Sequence, residues 1–149
     1  MTRHAYCHFC DDIRYEVGNK VSAMGMYSGE LLVQDIPATL PKFCVLAFCT
    51  TAREKPFKSL GIKLEMGGVV IQELELPSEA LVSFVKDADS RDDPSDPFKK
   101  YSLGSHIIVA PFHIASEGTL TVTVIADKDE MVAGKLRIRR LPQETQARA

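Results

Sequence analysis

Phe9-Cys-Asp-Asp-Ile-Arg-Tyr-Glu-Val-Gly-Asn-Lys-Val-Ser-Ala-Met-Gly-Met-Tyr-Ser-Gly-Glu-Leu-Leu-Val33 is the stretch from which the fold is read. A first strand starts upstream at His4 and runs to Cys10, with Asp11 and Asp12 at its end and Ile13 to Val17 continuing it. Gly18-Asn19 tolerates positive φ, so a hairpin turn belongs there. Val21 to Tyr27 is the return strand, and Gly25 inside it marks a bulge or a close backbone approach. Ser28-Gly29 bends the chain again, and Leu31 to Val33 is a short apolar strand that stops before Ile36-Pro37.

The remaining segments look like further strands packing on this one. Phe43 to Cys49 is apolar at every position, as in a central strand buried on both faces or a short buried helix. Leu60–Met66 and Val69–Leu76 flank Gly67-Gly68, a hairpin signal, and each alternates apolar with charged residues. After Pro77 the period changes. Ala80, Leu81, Phe84, Val85 and Ala88 lie at helical spacing, with Ser78 as N-cap. Asp87 to Asp96 then forms an acidic, proline-containing loop. Ser105–Ala115 is one strand with Pro111 marking a bulge or an edge, followed by Leu120–Ala126 and Met131–Leu141.

Eight or nine short strands and one short helix, without βαβ alternation, predict an all-β, mainly antiparallel β-sandwich. The helix would cap one end of the sandwich or lie over an exposed edge. Residues 1–141 make a single domain and residues 142–149 a polar tail. At 149 residues and 45% hydrophobic, the chain can bury a full core. It has no apolar run long enough for a membrane helix, and its N-terminus is polar, so a cytoplasmic location is expected. A net charge of −2 gives no global electrostatic case for nucleic acid or an anionic membrane.

Cys10-Asp-Asp-Ile-Arg14, Gly18-x-Lys20, Gly25-x-Tyr27-x-Gly29 and Leu40-Pro41 before an apolar strand together resemble a family of small uncharacterised bacterial proteins, some phage- or prophage-associated. The similarity is strongest over residues 9–50 and extends loosely through Leu74–Pro77 and the C-terminal strands. The resemblance implies a single domain of bacterial or phage origin and no catalytic residue.

Four groups could carry chemistry. Cys7-x-x-Cys10 has the spacing of a zinc knuckle, which Cys44 and Cys49 could complete. On a strand, however, Cys7 and Cys10 face opposite sides, so core cysteines are the better reading. Asp11 and Asp12 likewise diverge on a strand, and each suits a turn or an arginine partner better than a shared metal. Asp87, Asp89, Asp92, Asp93 and Asp96 could hold calcium on a sandwich loop. An EF-hand is excluded: counting from Asp87, the sixth residue is Asp92 rather than glycine and the twelfth is Phe98 rather than glutamate. Lys135, Arg137 and Arg139 alternate with Leu136 and Ile138, giving a strand one cationic face that could meet phosphate or guard an edge. His4, His8, His106 and His113 have no ligand spacing, and no hydrolase elbow, zincin, P-loop or dinucleotide motif occurs.

The expected function is that of a non-enzymatic binding or assembly module acting through protein–protein contacts. It takes a protein partner or a second copy, a homodimer included, and needs no cofactor and no membrane. The candidate binding residues are Asp11, Asp12, Arg14, Gly25, Tyr27 and Gly29, because glycine-rich backbone beside charge lets a partner approach closely. The alternatives are a calcium- or zinc-binding sandwich and a nucleic-acid binder using Lys135, Arg137, Arg139 and Arg140. The absence of aromatic residues in that basic strip argues against nucleic acid.

Overall fold

The computed structural model describes residues 3–95, 97 and 99–142. Asp96 of the acidic loop and residues 143–149 of the tail lie outside them. Eleven strands and one helix follow in the order β1 (His4–Glu16), β2 (Lys20–Met26), β3 (Glu30–Val33), β4 (Ala38–Leu40), β5 (Phe43–Ala52), β6 (Leu60–Met66), β7 (Val69–Leu76), α1 (Ser78–Ser90), β8 (Lys100–Val109), β9 (Phe112–Ile114), β10 (Gly118–Ala126) and β11 (Asp129–Arg140). Sheet A has the order β2-β1-β5-β8 and sheet B the order β3-β11-β10-β6-β7, with β4 and β9 as a short third ladder. Every pairing is antiparallel except β3 on β11. The protein is the antiparallel-dominated, all-β sandwich with one short helix that the alternation predicts.

The two sheets bury one core between them. Period-two alternation points Ala5 and Phe9 of β1, and Phe43, Val45, Ala47 and Cys49 of β5, toward Leu60, Ile62, Leu120, Val122, Leu136 and Ile138 of sheet B. A second, smaller cluster forms on the opposite face of sheet A from Cys10, Ile13, Cys44 and Leu46. β5 is therefore covered on both faces, which explains why Phe43 to Cys49 carries no polar residue. The helix leads from β7, an edge of sheet B, to β8, an edge of sheet A, and lies over the open side between them with Leu81 buried in the core. Its far end is tied down by Arg53, whose guanidinium donates to Asp89 at 2.8 Å and Asp92 at 2.7 Å and lies over the Tyr101 ring. No described helix is long and apolar enough to cross a membrane.

Several expectations are corrected. The segment 105–115 is two strands rather than one. β8 starts earlier, at Lys100, and ends at Val109, because Pro111 has no N–H to extend the ladder. The chain beyond it pairs instead with β4, a three-residue strand held between Pro37 and Pro41. These pieces raise the strand number from eight or nine to eleven. Ser78 is the first helical residue and not the N-cap; Pro77 holds the cap position, with no side-chain cap bond. The helix runs on to Ser90, which places Asp87 and Asp89 on it rather than in a loop.

Candidate functional site

The segment Cys10–Arg14 is where β1 changes direction. From His4 to Cys10 the strand pairs with β5, and past Cys10 only its pairing with β2 continues. Asp11 sits opposite Gly25 of β2, which has a φ of 68°. A Cβ on Gly25 would lie 2.3 Å from Asp11 Oδ2, so only glycine satisfies both the backbone and the space. The Tyr27 hydroxyl donates to Asp11 Oδ1, and the Tyr27 ring packs against Phe43 of the core. Burial, reinforced by the Asp11 carboxylate, pushes the Tyr27 phenol well above its ordinary range. Asp12 accepts from Lys42 Nζ at 2.9 Å and from the Ile13 backbone N–H at 2.9 Å, and these bonds hold its carboxyl below its usual value. Three of the six predicted residues, Asp11, Gly25 and Tyr27, thus meet at one point with Asp12 beside them. Arg14 stands exposed further along, opposite Ser22. Gly29 lies apart, its carbonyl accepting from the Arg137 N–H at 3.0 Å.

Beyond the bend, the β1–β2 hairpin lies across the outer face of sheet A as an arm. Ile13 packs on Cys44 and Leu46. The Tyr15 hydroxyl meets His106 Nε2 of β8, with the two rings 5.3 Å apart. At the tip, Asn19, Lys20 and Val21 face Phe48, Gly104 and His106 across an open cleft of about 390 Å³. Phe48 of the cleft wall belongs to an aromatic row set by register. Tyr6, Phe48 and Gly104 stand side by side on β1, β5 and β8. Tyr6 stacks on Phe48 with centroids 5.0 Å apart, and the Phe48 ring lies over Gly104, where a Cβ would come within 2.9 Å of it. His8 meets both rings edge-on and His4 stacks on Tyr6. Tyr6 keeps 40% of its surface exposed, and Val21 and Met26 keep 41% and 54%.

The other predicted groups do not converge. Cys7 packs against the inter-sheet core while Cys10 faces the outer cluster, as a strand requires; Cys44 sits opposite Cys10, and Cys49 faces the inter-sheet core. All four are free thiols, and burial pushes Cys7 up to about 12 and Cys10 and Cys49 up to about 11. Asp89 and Asp92 are engaged by Arg53, while Asp93 accepts from Ser95. Among the described residues no three His, Cys, Asp or Glu side chains group to hold a metal ion. His113 pairs with Thr39 across the short β4–β9 ladder.

One polar cluster escaped the sequence reading. Arg3, with 4% of its side chain exposed, reaches Asp127 at 2.6 Å, Asp129 at 3.1 Å and the Ala126 carbonyl at 2.9 Å, and lies over the Phe57 ring. It ties the start of β1 to the β10–β11 turn, a separation of more than a hundred residues that leaves no local signal. Comparison of the chain with protein-family models and with curated proteins gives no match.

Proposed function

We propose that the protein is a non-catalytic binding module that takes a protein partner on the outer face of sheet A, along the cleft under the hairpin arm. The observation that supports it is Phe48 at the wall of a concave, partly apolar surface shared with Val21 of the arm, its ring stacked on the exposed Tyr6. Exposed aromatic side chains beside a pocket are the usual anchors of protein interfaces. Met24 and Met26 on β2 extend the apolar surface with side chains that adapt to a partner. Asp11, Asp12, Gly25 and Tyr27 shape this surface by setting the bend, and Arg14 offers a charge on the arm. Proteins that share Cys-Asp-Asp-Ile-Arg and Gly-x-Tyr-x-Gly would share the bent arm, and a bacterial or phage origin and a cytoplasmic setting belong to the same proposal.

Site-specific photo-crosslinking tests it. A crosslinkable residue replaces Tyr6 or Val21, and a control replaces the exposed Val82 on the helix, which lies on neither sheet face. The expected result is one discrete protein adduct from positions 6 and 21 and none from 82. Equal adducts from all three positions, or none from the cleft, would overturn the assignment.

A further inference from the structure

On the outer face of sheet B the cations gather on β11 and the unpaired anions on β7, apart from Glu30 of β3, in register beside Arg137, and Glu130 of β11. On β11, Lys135, Arg137 and Arg139 alternate with the fully buried Leu136 and Ile138, so all three cations face outward. Thr121 and Thr119 of β10 stand beside Lys135 and Arg137 in register. On β7, Glu73 and Glu75 face outward too, because Leu74 between them packs against the core. They sit opposite Lys63 and Gly61 of β6. The middle of the face is electrically quiet. It holds Thr121, Thr123 and Ile125 of β10 and the Lys63–Glu65 pair, which neutralises itself. Among the described residues, none of Lys135, Arg137, Arg139, Glu73 and Glu75 makes an ion pair.

The two groups cannot satisfy each other within one molecule. β11 and β7 are separated by β10 and β6, three strand spacings or about 14 Å, beyond the roughly 8 Å over which physiological salt lets exposed charges interact. A second copy removes the obstacle. A two-fold axis lying in the plane of the face, between the groups, lays the cations of each copy on the anions of the other and makes both contacts at once. We infer that the outer face of sheet B is self-complementary and joins two copies of this chain, with Lys135, Arg137 and Arg139 of one copy against Glu73 and Glu75 of the other. Sheet-on-sheet stacking at the ordinary spacing of about 10 Å leaves room for the long lysine and arginine arms. This surface is separate from the cleft on sheet A, so either can be right without the other.

Charge reversal with recombination tests it, read by sedimentation across a concentration series at low and high salt. Wild type is expected to dimerise at low salt and to dissociate as salt is added. K135E/R137E reverses the net charge of the β11 group and E73K/E75K that of the β7 group. Each alone is expected to weaken the dimer more than about tenfold by like-charge repulsion, and an equimolar mixture to form a heterodimer. All four residues are exposed, and circular dichroism confirms that each variant is folded. A wild type that stays monomeric at low salt overturns the proposal. So does a dimer indifferent to both reversals, which would place the contact elsewhere. A monomeric wild type that gains mass only with added DNA would overturn it and assign the cationic strip to phosphate.

Discussion

Asp11 lies directly beneath Gly25, and its carboxylate occupies the space that a β-carbon on that glycine would need. The same carboxylate accepts the Tyr27 hydroxyl, so one aspartate couples the bend of the arm to an aromatic ring packed on the core.

Gly25→Ala therefore meets two obstacles, a φ of 68° and the Asp11 carboxylate. A loss of about 1–3 kcal/mol in urea unfolding is expected. Adding Asp11→Ala relieves the collision and leaves the backbone strain, so the double variant should recover only part of the loss. Full wild-type stability in Gly25→Ala alone would mean that the bend is not under this constraint.

Phe48 and Gly104 make a second coupled pair. A methyl group at 104 would come within 2.9 Å of the Phe48 ring. Gly104→Ala is expected to cost about 1 kcal/mol in the wild type and to be neutral or stabilising in a Phe48→Ala background. A double-mutant cycle by chemical denaturation measures the coupling, and additive effects would separate the two residues.

Arg3 predicts an acid response. Burial raises the Asp127 carboxyl, but the Ser59 N–H, Arg3 and the Lys58 N–H outweigh burial and hold it below the ordinary carboxylate range. A carboxylate held below its unfolded value of about 4 adds stability above that pH and gives it up as pH falls through the folded value. Stability is thus expected to fall steeply below about pH 4. Arg3→Met should flatten that fall and cost about 2 kcal/mol at neutral pH, a buried-pair value discounted for the partial exposure of Asp127 and Asp129. Unfolding midpoints measured from pH 3 to 7 check both.

The thiols set the alkaline limit. Cys7, pushed up to about 12, and Cys10 and Cys49, pushed up to about 11, stay protonated in the folded protein, whereas unfolded thiols ionise from about 8.5. Stability is present below that lower value and declines as pH rises toward the folded ones. At pH 8 a thiol reagent is expected to label the native protein slowly and all four cysteines at once in denaturant. Rapid labelling of Cys10 in the native state would contradict its burial.

Local pattern explains which parts of the fold were legible. The Gly18-Asn19 and Gly67-Gly68 hairpins and the all-apolar β5 announce themselves within a few residues, because turn geometry and two-faced burial act on neighbours. Gly25 was readable as a close approach for the same reason. The arm was not, because the spacing of Ile13 and Tyr15 is that of an ordinary strand and says nothing of which surface they cover. Asp12 and Lys42, 30 positions apart, and Tyr15 and His106, 91 apart, meet only through topology. Nothing near Phe48 in the sequence distinguishes it from a core residue, because the glycine beside it belongs to β8. The β4–β9 ladder was hidden by its brevity, and Ser78 lost the cap position to Pro77.

The one parallel pairing bears on how the protein is born. Among the described residues, Glu30–Val33 of β3 has no sheet neighbour other than Arg137–Arg140 of β11. The intervening hundred or so residues take on the order of 5–20 s to synthesise at about 5–20 residues per second. For that interval β3 waits on the ribosome with an unsatisfied backbone and an apolar flank, Leu31 and Val33, that the finished molecule buries. Completion of sheet B thus waits for β11, and a nascent chain stalled before it would expose two sites of misassociation at once: the unclaimed β3 and the bare edge of β10.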